Sequence, residues 1–382
     1  MEELIKKNEK SSQKISRRDF ITKSSAAAAA FMIVPRYVLG GPGYTAPSDK
    51  INIAAIGVGG KGRSDIAAVA TENIVALCDV DDVKMFDTIK RAGEWAEEKG
   101  LSENPLTKVP RYKDFREMLD KQKDIDAVTV STPDHFHAVA AITAIKQGKH
   151  AFVQKPLTYS VDEAQKLSAA AKKAGVVTQM GNQGHAGEGI RLIGEWLKDD
   201  AIGEVREVHC WTNRPIWDTG MNRPAEIPSV PPTLDWNQWI GPAPFRPYHP
   251  DYAPWSWRAW CDFGTGALGD MGAHIFDIPY HTLKMDHPTS VFASSSKFNG
   301  ESWPVASTIY YEFPQRGSLP PVKLTWYDGG IMPSRPEGIE PGRRMGDGDG
   351  GIMFYGDKGM IMCGCYGRNP RLVPETSMKE YQ

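Results

Sequence analysis

The sequence predicts an α/β protein of two domains, the first built on a doubly wound parallel sheet. Three observations carry this. At 382 residues the chain exceeds the roughly 250–300 residues at which a single core stops growing. The apolar run that begins at Ile51 leads straight into Gly57-Val-Gly59-Gly60-Lys-Gly62 and then a helical pattern, the order strand, glycine loop, helix. The 11 tryptophans and 28 prolines concentrate between about Trp211 and Pro341, so the second half differs in character from the first.

Bulk composition narrows the function classes. The formal charge of −2 gives no electrostatic footprint for nucleic acid, and no nucleic-acid partner is expected. The five cysteines are odd in number, and no CxxC pair or Cys/His cluster has metal-ligand spacing. They read as free thiols, and no metal is expected.

Residues 1–40 read as an export address. Arg17-Arg18 precede Phe20, and a weak apolar stretch runs from Ser24 to Val34. That is the twin-arginine pattern, and the stretch falls short of the roughly 20 residues that span a bilayer. The expectation is a partner in the twin-arginine export machinery and no membrane anchor in the mature form. Localisation is then periplasmic or otherwise exported. This route carries folded proteins, which hints at a cofactor inserted beforehand. A Gly/Pro/Ser linker follows over 41–50.

The first domain is expected over 51–177. In the glycine loop, the first glycine permits the tight turn and the second lets backbone approach a pyrophosphate. The third allows close helix packing, and the helix N-terminus offers free N–H groups. A second strand ending at Cys78 delivers Asp79, placed to bind a ribose hydroxyl and so to favour NAD over NADP. Further strands end at Thr132-Pro133 and at Gln154-Lys155-Pro156. The carboxyl ends of such strands form the ligand edge, so both turns should face the cofactor. His135 and His137 lack a third ligand and read as a turn and helix start. The strand 176–180 should deliver Asn182 and His185 to the same cleft. Asp270 and His274 sit four apart, on one face if their segment is helical.

Assembled, these pieces resemble the glucose–fructose oxidoreductase and inositol dehydrogenase family (Gfo/Idh/MocA). The matching motifs are Gly57-x-Gly59-x-x-Gly62, Thr132-Pro133 with His137, Gly148 to Pro156, Ile202-Gly203-Glu204-Val205, and Gly269-Asp270-Met-Gly-Ala-His274-Ile-Phe-Asp277. The likeness runs from about Ile51 to Tyr280, with one departure: Gln154 stands where the family usually has Glu. The resemblance implies a Rossmann domain followed, over 178–382, by an α+β substrate and oligomerisation domain with a mostly antiparallel open sheet. It implies cofactor contacts from Gly57, Gly59, Gly60, Gly62, Asp79, Thr132, Pro133, His137 and Lys155, and a homo-oligomer, dimer or tetramer. Asp270 would orient His274 as general base, with Lys155 stabilising the alkoxide. Asn182, His185, Arg258 and Asp277 are the candidate substrate contacts, and a proline-rich arm should cross the substrate domain or a neighbouring subunit.

The function implied is oxidation of a secondary hydroxyl of a carbohydrate, a sugar or glycoside. Outside the cytoplasm no free NAD pool is expected, so the cofactor should stay bound through the cycle. A redox-assisted glycoside hydrolase is the alternative. A non-catalytic sugar-binding protein is the second alternative.

Overall fold

The computed structural model describes residues 45–381, apart from residues 99 and 102. The arginine pair and apolar run read as an export signal lie outside the described residues. Of the first compact unit, Met1–Ile51, the described part holds a single 3-10 turn at Pro47–Asp49. The second unit, Asn52–Gln382, contains everything below.

Six short strands make one parallel sheet: β1 (Asn52–Ile56), β2 (Asn73–Cys78), β3 (Arg111–Tyr112), β4 (Ala127–Val130), β5 (His150–Val153) and β6 (Thr178–Met180). Their spatial order is β3-β2-β1-β4-β5-β6, the doubly wound Rossmann arrangement. Successive β1 residues point to opposite faces, so both faces need an apolar cover. Ala55 and Leu77 pack against Ile66 of α1 (Lys61–Ala68) and Met85 of α2 (Asp82–Glu98). Ala54 and Val128 pack on the opposite side, against Met118 of α3 (Phe115–Lys121), Ala141 of α4 (His137–Lys146) and Leu167 of α5 (Val161–Ala174). Helix α5 shows how local sequence sets a boundary. Ser160 and Glu163 close a reciprocal capping box at its start, and Gly175 ends it in the left-handed conformation at φ 67°.

The order reverses between β1 and β4, and the crevice outside their carboxyl ends is where such sheets bind ligands. The boundary expected at residue 177 falls inside this sheet, because Ala151 to Val153 pair with Thr178 to Met180. The first domain therefore continues through β6.

The second sheet has seven strands in the order β13-β12-β11-β7-β10-β9-β8. These are β7 (Val205–Thr212), β8 (Ser290–Ser295), β9 (Ser307–Phe313), β10 (Val322–Tyr327), β11 (Gly350–Gly356), β12 (Met360–Gly364) and β13 (Arg371–Val373). Only the β7–β10 pair is parallel, so the sheet is mostly antiparallel. Its inner face buries Val208, Leu324 and Trp326 against three helices. They are α6 (Glu188–Lys198), α8 (Gly266–Ile275) and α9 (Asp277–Thr282), supplying Ile193, Met271 and Ile278. Side chains buried to this degree each stabilise the fold by roughly 1.5–3 kcal/mol.

Between β7 and α8 runs the proline-rich segment, which also contains α7 (Trp236–Ile240). It crosses the substrate domain as expected, where the Gly220 amide donates to the Trp303 carbonyl oxygen at 3.1 Å and Arg223 pairs with Glu301. It returns to the first domain and lies along the dinucleotide crevice. The Asp82 amide donates to the Thr233 carbonyl oxygen at 3.0 Å, the Asp235 amide donates to the Val80 carbonyl oxygen at 2.9 Å, and Asp81 and Leu234 form a bridge. Most of its tryptophans form a buried cluster, Trp217, Trp236, Trp239, Trp257 and Trp260, around Phe263 and Tyr252. Proline and alternating polarity show that a segment is extended, but its docking partner is 150 residues away in sequence and leaves no local trace.

Candidate active site

The crevice has a volume of about 540 Å³ and is lined by the glycine loop, Asp79, Thr132, Pro133 and Lys155. At its floor, Gly57 takes φ +77°, and a Cβ on Gly62 would collide with the Gly57 carbonyl oxygen. These two glycines bring the α1 N-terminus against the end of β1. No side chain caps that N-terminus, and its first turn carries no acidic residue. Apart from the Gly62 amide, which donates to the Gly59 carbonyl oxygen at 2.9 Å, that N-terminus meets no side-chain acceptor among the described residues, the arrangement that takes a pyrophosphate. The Thr132 hydroxyl has no hydrogen-bond partner among the described residues although it is buried, a second sign of a polar ligand there. The donor set fits a dinucleotide.

Asp79 lines the crevice with its carboxylate turned to the loop backbone. Oδ2 accepts from the Val58 amide at 2.9 Å and the Gly59 amide at 3.4 Å, and Oδ1 accepts from the Asp81 amide at 3.0 Å. Burial raises its pKa, and these amides partly offset the rise. His137 does not face the cofactor space with a free nitrogen. It is 1% exposed, with Nδ1 2.7 Å from the Pro156 carbonyl oxygen and Nε2 2.8 Å from that of Thr132. Its role is to tie the two strand-end turns together, so its predicted cofactor contact becomes a positioning one. His135 behaves similarly, between the carbonyl oxygens of Phe263 and Trp239. Burial pushes its pKa down to about 4.

Behind Lys155, Gln154 shows what its departure from Glu accommodates. Its Nε2 donates to Asp65 Oδ2 at 2.9 Å. Asp65 also accepts from Ser131 Oγ at 2.8 Å and from Lys61 Nζ at 2.7 Å. Both Gln154 and Asp65 are buried. A glutamate at 154 would set two carboxylates side by side, so the carboxylate here comes from α1 and the amide from β5's end.

At the other end of the crevice, Lys155 Nζ donates to Asp270 Oδ1 at 2.6 Å and to the Asp270 carbonyl oxygen at 2.8 Å. Arg258 Nε lies 3.7 Å from Asp270 Oδ1, and Arg214 Nε lies 4.0 Å from Oδ2. Burial pushes the Asp270 carboxyl up, and the Lys155 ammonium with the two guanidinium groups more than reverses this, leaving it below its ordinary value. Asp270 is thus the hub of three cations, which the sequence did not suggest for Arg214.

The expected Asp270–His274 couple is corrected. Both residues lie on α8, but the Asp270 carboxylate turns to Lys155, and His274 Nδ1 lies 2.8 Å from Asn182 Oδ1. Asn182 Nδ2 donates to the Ala273 carbonyl oxygen at 3.0 Å. That bond fixes the amide, so Oδ1 faces the imidazole and Nδ1 carries the proton, leaving Nε2 as the acceptor. Burial, with the Lys155 charge second, pushes the His274 pKa down to about 3, so the ring is neutral. It is 2% exposed and packs against Tyr366, the rings tilted by 60° with centroids 4.6 Å apart.

Asn182 is therefore a positioning residue for His274 rather than the expected substrate contact. His185 and Asp277, also expected at the substrate, pair with each other at 3.0 Å and do not line the crevice. Arg258 does line it.

A Rossmann crevice whose own Lys155 pairs with Asp270 from a second, mostly antiparallel domain defines a dinucleotide-binding protein of the oxidoreductase type. Comparison with known proteins agrees. Residues 51–182 match the model described as the oxidoreductase family, NAD-binding Rossmann fold, and residues 204–313 match that family's C-terminal alpha/beta domain. The chain belongs to the Gfo/Idh/MocA family, and the cofactor its first domain binds is NAD. A glycosyl hydrolase family 109 protein of Solibacter usitatus is 34% identical over 124 residues, 32% of this chain and 27% of that protein. Levoglucosan dehydrogenase of Pseudarthrobacter phenanthrenivorans is 26% identical over 166 residues, 43% of this chain and 34% of that protein. The chain thus spans well under half the length of these curated relatives. The solved structure of a levoglucosan dehydrogenase in complex with NADH and levoglucosan overlays with TM-score 0.55 at 18% identity, covering 85% of this chain and 76% of that one, a likeness of fold.

Proposed function

We propose that this chain is an NAD-dependent oxidoreductase acting on a secondary hydroxyl of a sugar or glycoside, with the cofactor retained through the cycle. The observation that carries the reading is the Lys155–Asp270 pair, held at 2.6 Å on the crevice wall at the end remote from the adenosine edge. NAD, when bound, supplies the hydride acceptor. With two of its three N–H groups on Asp270, Lys155 offers the third to the substrate oxygen as negative charge develops on it, a preorganised electrostatic stabilisation. Asp270 holds that ammonium in place. His274, neutral and held by Asn182, keeps Nε2 as an acceptor; it is 2% exposed and outside the crevice lining, so its part as proton acceptor rests on the family resemblance and not on contact with the crevice.

Cofactor retention draws support from the arm. Pro231, Thr233 and Leu234 line the crevice beside Asp79 and Asp81, and the backbone bonds from Asp82 and Asp235 tie the arm down along the adenosine end. That agrees with an exported enzyme that meets no free nucleotide pool, the localisation the Arg17-Arg18 segment suggests. The glycosidase reading is favoured by the family 109 relative and would use the same groups: with the hydroxyl oxidised, a base takes the acidified neighbouring proton as the aglycone leaves protonated, water adds across the double bond formed, and return of the hydride restores the hydroxyl. A homo-oligomer is part of the proposal, since the edge strand β8 is exposed throughout and shows Val291 and Phe292 to solvent.

The test is to incubate the NAD-loaded protein with a panel of sugars and glycosides, with and without a second carbonyl sugar. The oxidoreductase reading expects absorbance at the reduced-nicotinamide band that stops after one turnover unless the acceptor is present. Sustained aglycone release without acceptor favours the glycosidase. No spectral change with any substrate would overturn both.

A further inference from the structure

Arg258 is the feature of the crevice that oxidation of a hydroxyl does not require. It sits four residues after Pro254, on the 3-10 turn Ser256–Ala259. Its guanidinium carbon lies 4.2 Å from the centroid of the Trp257 ring and 4.9 Å from that of Trp255. Two indoles thereby fix its plane. Its side chain is 24% exposed, yet among the described residues it donates no hydrogen bond. Among the described residues the one carboxylate within ion-pair distance is Asp270, 3.7 Å from Nε and already paired closely with Lys155.

The other arginines of this region are engaged. Arg223 holds Glu301 in a two-pronged pair, with Nε at 3.1 Å and Nη2 at 2.7 Å. Arg246 is buried against Asp262 and Glu301. Arg214 Nη1 donates to Asp349 Oδ1 at 3.3 Å and to Asn213 Oδ1. Arg258 instead offers an oriented fork of donors to the crevice, beside the lysine proposed to meet the reacting hydroxyl. Lys155, Arg214 and Arg258 gather around Asp270, with Asp349 against Arg214 and the buried Asp134 close enough to Lys155 to balance charge, so the spare donor in this space is the Arg258 guanidinium itself. A neutral sugar would meet the fork with hydroxyl oxygens alone, whereas a planar guanidinium pairs two parallel donors with a two-oxygen anion in shorter, charge-assisted bonds.

We propose that Arg258 binds an oxyanion carried by the substrate, so that the sugar is acidic: a uronate, or a sugar bearing a sulfate or phosphate ester. This rests on the oxidoreductase reading for the identity of the ligand as a sugar, but its test does not require turnover.

The experiment is calorimetric titration of the NAD-loaded protein with the methyl glycosides of glucuronic and galacturonic acid, and with those of glucose and galactose. The 6-sulfates and 6-phosphates form a third arm that separates carboxylate from ester. At least one acidic sugar should bind tenfold or more tightly than its neutral counterpart. In R258Q that ratio should fall to within about twofold, and R258K, which keeps the charge but loses the fork, should fall between. Bound NAD measured after denaturation should match the parent in both variants. Equal affinity for acidic and neutral sugars in the parent overturns the proposal, as does a ratio unchanged in R258Q. Loss of NAD from R258Q would assign the fork to the cofactor and overturn it equally. Selective binding without any redox signal would sink the oxidoreductase reading and leave the acidic-sugar site standing.

Discussion

Replacing Gln154 with glutamate, the residue the family usually carries, should destabilise this protein, and the structure sets the size of the effect. Gln154 Nε2 and Asp65 Oδ2 are 2.9 Å apart, and the two residues are 5% and 6% exposed. Gln154→Glu places a second carboxylate at that separation. At an effective dielectric of about 20, two charges this close repel by about 5–6 kcal/mol. The pair escapes by taking a proton, which restores a hydrogen bond. Keeping a glutamate of ordinary pKa ~4.3 protonated at pH 7 costs about 1.4 kcal/mol per pH unit over about 2.7 units, or ~3.7 kcal/mol. The same cost is about 1 kcal/mol at pH 5. Urea unfolding of the NAD-free protein at both pH values reads this directly, and Asp65→Asn in the same chain should recover most of the loss. A Q154E protein as stable as the parent at pH 7, or a deficit that does not shrink at pH 5, would refute the reasoning.

Other outcomes follow from the same geometry. Asn182→Ala removes the acceptor that selects the His274 tautomer, leaving a buried N–H unpaired at about 1–3 kcal/mol. It should lower kcat about 10- to 100-fold with little change in KM, and the activity–pH profile should shift, which a purely structural role would not cause. Asp270→Ala leaves Lys155 without its partner in a sheltered site and should cost about 3–5 kcal/mol in urea unfolding along with activity, whereas Asp270→Asn should be milder. His135 and His274 are held down to about 4 and about 3 from an ordinary 6.5, so the unfolded chain binds their protons first. Their contribution is whole above pH ~6.5 and is lost as pH falls towards 4, each by roughly 1 kcal/mol per pH unit, which urea midpoints across that window will show. Changing Arg17 and Arg18 together to lysine should leave the protein in the cytoplasmic fraction of an expressing cell, and unchanged export would remove the twin-arginine proposal.

What could be read in the sequence was what local backbone physics dictates. Gly57 and Gly62 announce a turn and a close approach that no other residue permits, so the first strand, loop and helix were legible together. Lys155 was legible as a ligand-edge residue because it ends a buried strand just before a proline. The partners of these groups were not legible. Asn182 and His274 are 92 residues apart, and Asp65 and Gln154 are 89 apart. Helical spacing suggested Asp270 for His274 because periodicity sees only neighbours along one helix, whereas the tertiary partner Lys155 wins through charge. The same limit hid the docking of the proline-rich arm on the first domain, whereas Arg258 was already legible as a substrate candidate and only its seat between two indoles was not.

The most direct measurement is to purify the protein without added nucleotide, denature it and quantify the nicotinamide dinucleotide released. The account predicts close to one NAD or NADH per chain, retained through extensive dialysis. A protein that emerges empty and fails to bind added NAD would contradict it.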